Sequence, residues 1–225
     1  MYRPGGPEWL ILRLSTVSIE HYSLNEVTLP NLDNIYRAAE RLRGVATHTP
    51  LQENLNLSDR YEANIFLKRE DLQVVRSYKI RGAYNKMASL SADELAKGVV
   101  CASAGNHAQG LAYACRKMGV RGTVFMPITT PAQKVKQVGM FGKKFVEIVL
   151  IGDTYDDAYH AAMTFVESHD STFVHPFDDV LVMEGQGTVG LEIFKDAHFK
   201  IDYLLLAIGG GGLASGVSTD RKSVV

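Results

Sequence analysis

The sequence predicts an α/β fold, with mainly parallel sheets that carry helices on both faces. Short runs of β-prone residues alternate with helical stretches from about residue 65 to residue 208. Parallel strands need such crossovers, because each strand must return to the edge of the sheet where the previous one began. The strand-like runs are apolar at consecutive positions, as expected for strands covered on both faces. At 225 residues, the chain is long enough for one large domain or two small ones.

Hydrophobic periodicity and capping residues predict the order of the elements. Apolar residues recur at helical spacing between Ile35 and Leu42, which predicts a first helix. The predicted strands are 65–67, 99–101, 123–126, 145–151, 172–174 and 203–208. The other predicted helices are 79–90, a short one opened by a capping box at Ser91 and Glu94, 106–118, one starting near Pro131, one capped by Asp153 and one from about 186. Residues 1–30 show no clear period and are predicted to be an irregular extension without function.

Composition and charge exclude several classes of protein. A formal net charge of −1 and an isoelectric point of about 6.7 argue against nucleic acid or a membrane as a partner. Cys101 and Cys115 form neither a metal-ligand pattern nor a disulfide framework, which is typical of a reducing compartment. The histidines show no zinc-ligand spacing, so no metal is expected. The apolar run 9–12 is too short for a signal sequence or a membrane span, so we expect a cytoplasmic protein.

Four consecutive glycines follow the predicted strand 203–208 and precede a helical start. They are Gly209, Gly210, Gly211 and Gly212. A backbone without side chains can curl so that several N–H groups converge, which makes a cradle for an anion such as phosphate. The spacing of Gly209, Gly211 and Ala214 also fits a dinucleotide site, whose acidic ribose partner would lie beyond the last residue. A flexible loop is the remaining alternative.

A second polar segment lies between the predicted strand 99–101 and the helix 106–118. Its residues are Ser103, Ala104, Gly105, Asn106 and His107. A helix N-terminus with a hydroxyl and an amide beside it suits a carboxylate or a phenolate oxygen better than a metal ion. His107 is interpreted as a structural or orienting residue rather than a base. A simple capping turn is the alternative.

The third segment is Ser77-Tyr78-Lys79-Ile80-Arg81-Gly82-Ala83, which follows the charged run 68–71. Lys79 becomes a nucleophile or a base only if its ammonium pKa falls, either through burial or beside a cation such as Arg81. Taken alone, a lysine on a helix is usually a solvated charge, and so is a charged run.

Together and in this order, the three segments resemble the fold type II pyridoxal-phosphate enzymes, the tryptophan-synthase-β type, and among them the threonine/serine dehydratases. The resemblance extends from about residue 31 to residue 217. Lys68-Arg69-Glu70-Asp71-Leu72-Gln73 and Gly185-Gln186-Gly187-Thr188 are most similar to the biosynthetic threonine dehydratases.

The resemblance implies pyridoxal 5′-phosphate as the cofactor and assigns a role to each segment. Lys79 would be the catalytic residue and would hold the cofactor as a Schiff base. Asn106 would hydrogen-bond the 3′-oxygen, and the segment 103–107 would bind the substrate carboxylate. The phosphate would lie on Gly209, Gly210, Gly211, Gly212 and Leu213.

The implied reaction is β-elimination, in which the freed Lys79 amine removes the Cα proton of L-threonine. The products would be 2-oxobutanoate and ammonia, in the first committed step toward isoleucine. The same fold also hosts L-serine dehydratases and serine racemases. The racemases carry a second serine where this chain has Ala104, and a methyl group cannot exchange a proton, so we expect little racemisation.

The resemblance also implies an architecture. A small domain of residues 92–175 would be inserted into a large domain made of 31–91 and 176–225, with the cofactor in the cleft between them. The family's residue at the ring nitrogen and its regulatory domain should follow the four glycines. We therefore expect a C-terminally truncated chain that is nearly inactive alone, and a homo-oligomer when full length.

Overall fold

The computed structural model describes residues 8–13 and 29–219 and confirms the predicted α/β class. The strands are β1 (Glu8–Arg13), β2 (Leu51–Glu53), β3 (Phe66–Lys68), β4 (Val99–Ala102), β5 (Gly122–Met126), β6 (Val146–Leu150), β7 (Thr172–Phe173) and β8 (Tyr203–Ile208). The helices are α1 (Leu32–Arg41), α2 (Leu55–Tyr61), α3 (Lys79–Ala88), α4 (Ala92–Lys97), α5 (Asn106–Met118), α6 (Ala132–Gly142), α7 (Tyr155–His169), α8 (Val180–Asp196) and α9 (Gly212–Ser218). None of the helices in these ranges is both long and apolar enough to cross a membrane.

A four-stranded parallel sheet in the order β6-β5-β4-β7 forms the centre of residues 99–173. Successive side chains of a strand point to opposite faces. Val99 and Cys101 of β4 therefore pack with the apolar side of α5, whereas Val100 and Ala102 pack against Ala158 and other residues of α7. Because helices cover both faces, β4 is apolar and buried at every position, as the sequence predicts.

A group of helices, α1, α3, α8 and α9, packs beside this sheet, with α8 in contact with the other three. Gly185 lets α8 lie directly on α3, since a Cβ atom at this position would stand 2.6 Å from the carbonyl oxygen of Arg81. Helix α3 in turn packs on α5, so it connects the helical group to the parallel sheet.

Within the described residues, two antiparallel strand pairs lie outside the parallel sheet. β2 pairs with β3, and β1 pairs with β8 in a register that joins Glu8 to Ile208 and Arg13 to Tyr203. The prediction that residues 1–30 are irregular is therefore wrong for Glu8–Arg13, while residues 1–7 and 14–28 lie outside the described residues. The reason is that β8 offers main-chain donors and acceptors along an edge, which a short apolar run can satisfy without a period of its own.

Several predicted boundaries also change. α8 begins at Val180 rather than near residue 186, and the Asp179 carboxylate accepts hydrogen bonds from the first turn. α7 is capped by Thr154 rather than Asp153, because Thr154 and Asp157 form a reciprocal capping box. β2 and α2 were not predicted. The division into a small domain of 92–175 and a large domain of 31–91 with 176–225 stays a prediction.

Candidate active site

The three predicted segments approach one another around the loop that joins β7 to α8. β4 and β7 are neighbouring parallel strands, so the segment 103–107 and the loop 174–179 leave the same edge of the sheet. Ligands bind at such carboxyl edges in open α/β sheets. The His107 ring connects the two loops, with 2.8 Å between Nε2 and the carbonyl oxygen of Val174.

Lys79 is the first residue of α3, and its amine is turned toward this loop. Nζ donates a hydrogen bond to the carbonyl oxygen of Pro176 at 2.7 Å, and it lies 5.5 Å from the centre of the Tyr78 ring. Burial lowers the pKa of Lys79 from the ordinary 10.5 to about 8. Of the two causes considered for a lowered pKa, burial is the one found.

Arg81 does not act on Lys79 as a bare cation, because two carboxylates neutralise it. Its guanidinium is 1% exposed and forms pairs of hydrogen bonds with Glu70 and Glu192, at 2.7 to 2.9 Å. Lys68 pairs with Glu192 at 2.6 Å in the same cluster. The charged run 68–71 is thus not wholly a solvated face, since Lys68 and Glu70 point inward while Arg69 and Asp71 pair near the surface.

Helix α5 packs directly on the backbone of Lys79. A Cβ atom at Gly110 would lie 3.0 Å from the carbonyl carbon and oxygen of Lys79. A larger residue would therefore push the start of α5 away from the start of α3. Gly110 was not singled out from the sequence, although it follows the segment 103–107 by one helical turn.

The segment 103–107 forms the turn into α5. The N–H of Gly105 donates to the Ser103 hydroxyl at 3.2 Å, while the N–H groups of Asn106, His107 and Ala108 form no hydrogen bond within the described ranges. Asn106 is exposed, and a Cβ atom added to Gly105 would meet no atom within 4 Å. The helix start therefore presents free donors beside open space, which suits a carboxylate.

His107 is buried in a position that excludes a charged ring. Burial lowers its pKa to about 3, with the hydrogen bond to Val174 acting in the opposite direction. Nε2 therefore carries the proton and donates to Val174, while Nδ1 has no partner among the described residues. These contacts agree with the interpretation of His107 as an orienting residue, and that role remains a proposal.

The four glycines form an open loop between β8 and α9. The backbone N–H groups from Gly209 to Ala214 form no hydrogen bond within the described part of the chain. Gly211 has a φ of +83°, a conformation that other residues rarely adopt, and a Cβ atom at Gly209 or Gly211 would meet nothing within 4 Å. A row of free donors with open space beside it fits a phosphate group.

The loop 174–179 was missed from the sequence, although it contacts every other part of the site. A Cβ atom at Gly210 would stand 2.2 Å from the Phe177 ring, so this ring lies against the glycine loop. Pro176 binds Lys79 and Val174 binds His107. The signal in the sequence was the run His175-Pro176-Phe177 directly after a predicted strand, at the carboxyl edge where ligands bind.

The dinucleotide alternative is less well supported. A dinucleotide fingerprint needs a glycine loop between parallel strands of one sheet. Within the described residues, β8 instead pairs with β1 in an antiparallel arrangement.

Known proteins are similar to this chain in sequence and in fold. The L-threonine dehydratase biosynthetic IlvA of Bacillus subtilis is 54% identical over 201 residues, which are 89% of this chain and 48% of that protein. The processed form of threonine deaminase isoform 2 from Solanum lycopersicum has a TM-score of 0.76 at 37% identity, over 94% of this chain and 58% of the other. Maize serine racemase has a TM-score of 0.80 at 28% identity, over 88% of this chain and 59% of the other.

The chain spans about half the length of the curated relatives it matches. A family model described as "Pyridoxal-phosphate dependent enzyme" matches residues 42–223, which include all three predicted segments and the loop 174–179. The chain is therefore a member of the pyridoxal-phosphate dependent enzyme family.

Proposed function

We propose that this chain belongs to an enzyme that uses pyridoxal 5′-phosphate to deaminate L-threonine to 2-oxobutanoate and ammonia. The observation that carries the proposal is a half-buried lysine amine of lowered pKa, Lys79, beside two backbone turns with free N–H groups. The biosynthetic threonine dehydratases at about half identity support the choice of reaction.

The residues present fit this cofactor. The open glycine loop from Gly209 to Leu213 would hold the phosphate, as its unpaired donors indicate. The exposed amide of Asn106 would hydrogen-bond the ring oxygen, and the amine of Lys79 would hold the aldehyde carbon. Each group thus suits one part of the cofactor: backbone N–H groups suit the phosphate, an amide suits the phenolate oxygen, and an amine suits the aldehyde.

The bound cofactor would supply a sink for the electron pair that is left when the Cα proton of the substrate departs. Lys79 would take that proton on Nζ, since its lowered pKa leaves part of the amine neutral near physiological pH. The free N–H groups of the segment 103–107 would hold the substrate carboxylate and so fix which face of Cα meets the amine. Loss of the β-hydroxyl as water and later hydrolysis of the released enamine give 2-oxobutanoate and ammonia.

L-Serine is the alternative substrate, because serine racemase has the same fold. Ala104 offers no hydroxyl that could return a proton to the opposite face of Cα, which favours elimination over racemisation. The threonine dehydratases at 54% and 55% identity favour L-threonine as the substrate. A cytoplasmic location agrees with the two buried free cysteines. Assembly into a homo-oligomer remains part of the proposal.

Borohydride trapping tests the cofactor assignment. The chain is mixed with pyridoxal 5′-phosphate, reduced and digested, and the labelled peptide is identified by mass spectrometry. We expect the label on Lys79 and its loss in Lys79→Arg. A label spread over exposed lysines in proportion to their number would exclude the proposed site.

Turnover tests the reaction. We expect 2-oxobutanoate from L-threonine, pyruvate at a lower rate from L-serine, and almost no D-serine, measured with a hybrid in which the C-terminal half of the Bacillus subtilis relative follows this chain. Appreciable D-serine from a hybrid that is labelled at Lys79 would instead favour a racemase.

A further inference from the structure

The loop 174–179 holds a single peptide group in place from both sides. The carbonyl of Pro176 accepts a hydrogen bond from the amine of Lys79 at 2.7 Å. The N–H of Phe177 belongs to the same planar peptide unit, and it donates to Nδ1 of His175 at 3.3 Å. The orientation of the imidazole therefore determines the orientation of the carbonyl that binds Lys79.

His175 also closes the turn as a whole. Its Nδ1 accepts a second and shorter hydrogen bond, 2.7 Å, from the N–H of Asp178. A nitrogen that accepts hydrogen bonds from two N–H groups carries no proton of its own, so the His175 ring is neutral with its hydrogen on Nε2. The ring stands edge-on to Phe173 and Phe177, with centroid distances of 6.0 and 4.7 Å, which restricts its rotation.

The turn reaches the proposed phosphate cradle as well as the amine. Phe177 lies one residue beyond the bound carbonyl, and its ring packs on Gly210 while its backbone packs on Gly212. A rotation of the Pro176–Phe177 peptide would thus move both the partner of Lys79 and the wall of the glycine loop.

We propose that His175 is a positioning residue for Lys79 and acts through the Pro176–Phe177 peptide. By accepting a hydrogen bond from the N–H of Phe177, His175 keeps the Pro176 carbonyl hydrogen-bonded to one N–H of the Lys79 amine. The lone pair of the neutral amine then points away from the loop. That this lone pair meets the aldehyde of pyridoxal 5′-phosphate rests on the proposed function.

The alternative is that His175 only stabilises a turn. Loss of the imidazole would then lower the stability of the fold, and each folded molecule would react with the cofactor as before. The positioning role requires more: an acceptor must stand at the place of Nδ1, and any side chain that supplies it there must restore the reaction. Asparagine places its amide oxygen close to that place, glutamine carries it one bond farther out, and leucine supplies no acceptor.

The experiment titrates the 225-residue chain and its variants with pyridoxal 5′-phosphate. Binding is followed by the absorbance of the lysine-bound cofactor and by borohydride labelling of the Lys79 peptide, with circular dichroism as the check on folding. We expect His175→Leu and His175→Gln to weaken binding about tenfold or more, as for the loss of one part-buried hydrogen bond. We expect His175→Asn to stay within about threefold of the natural chain. His160→Leu, on the exposed side of α7, is the matched control and should bind normally.

Equal binding by folded His175→Leu and the natural chain would overturn the positioning role, and so would equal binding by the asparagine and glutamine variants. The second comparison holds even if the leucine variant does not fold. Failure of the proposed function is a different result, because the natural chain itself would then not be labelled at Lys79.

Discussion

At Lys79, burial changes how much reactive amine the protein presents near neutral pH. With a pKa of about 8, about a quarter of the side chain is neutral at pH 7.5, against about one part in a thousand at the ordinary value of 10.5. Only the neutral amine adds to an aldehyde or takes a proton. The cause is desolvation, since the neighbouring Arg81 is neutralised by Glu70 and Glu192.

The rate of condensation with pyridoxal 5′-phosphate should therefore rise with pH and level off above about 8, when measured by stopped-flow absorbance. The variant Arg81→Lys keeps the local charge and should keep this midpoint if it folds. A midpoint near 10.5 would show that the amine is solvated and would contradict the burial argument.

His107 makes an acid-dependent contribution to stability. The unfolded chain binds a proton at this residue near pH 6.5, whereas burial delays protonation of the folded chain until about pH 3. The unfolded state therefore binds more protons in this interval, so the stability is fully present above about pH 6.5 and is lost as the pH falls toward 3. Each pH unit within the interval costs at most about 1.4 kcal/mol.

The variant His107→Gln keeps an N–H donor for the Val174 carbonyl and cannot be protonated. We expect its free energy of unfolding in urea to fall less steeply between pH 6.5 and pH 4 than that of the natural chain. The same substitution at exposed His160 serves as the control. An unchanged slope in His107→Gln would show that another group dominates the acid response.

The residue types of the site could be predicted from the sequence, but their environments could not. The amine, the amide and the glycines stand in recognisable motifs, so Lys79, Asn106 and Gly209 were identified. Burial depends on contacts from distant segments. The carbonyl of Pro176 lies 97 positions from Lys79, and no local pattern shows which lysine of a helix such a carbonyl will meet.

Among the elements, the glycine loop alternates between positions that face open space and positions that face Phe177. A Cβ atom at Gly210 would stand 2.2 Å from the Phe177 ring, whereas one at Gly209 would meet nothing within 4 Å. A substitution at Gly210 therefore tests the packing of the loop, whereas a substitution at Gly209 tests the space available to a ligand.

We expect Gly210→Ala to lower the free energy of unfolding by about 1–3 kcal/mol, as overpacking does, and to weaken cofactor binding because the loop shifts. Gly209→Ala should leave the stability nearly unchanged and still weaken binding, because its methyl group would enter the space assigned to the phosphate. Urea unfolding and cofactor titration separate the two effects. Normal binding by Gly209→Ala would place the phosphate elsewhere.

Elements with a strong period or a sharp boundary were predicted at their observed positions. α5 and β8 have the predicted bounds. α8 was predicted about six residues too short, because its first residues are almost all apolar and show no helical period. A helix that is apolar on every side is buried on every side, and in this chain α8 is surrounded by α1, α3 and α9. The strand β1 could not be predicted because its partner lies almost 200 residues away.

Across the whole molecule, a cluster of buried charges joins segments that are distant in the sequence. Arg81 on α3 binds Glu70 after β3 and Glu192 on α8, and it also donates to the carbonyl of Thr47 at 3.3 Å. Burial alone would lower the pKa of Arg81, but the hydrogen bonds that it donates to the two carboxylates raise it, so the guanidinium stays charged. The cluster thereby fixes the helix whose first residue is Lys79.

Replacement of Arg81 by methionine should destabilise the chain strongly. Glu70 would lose its cation while it remains mostly buried, and Glu192 would keep only Lys68; removal of one partner from a buried ion pair costs about 3–5 kcal/mol. Arg81→Lys should recover only part of this loss, because an ammonium group cannot bind two carboxylates in pairs. Lys97→Met, which breaks an exposed pair with Asp170, is the control and should leave the urea midpoint unchanged. Equal midpoints for Arg81→Met and Lys97→Met would mean that the cluster does not hold α3 in place.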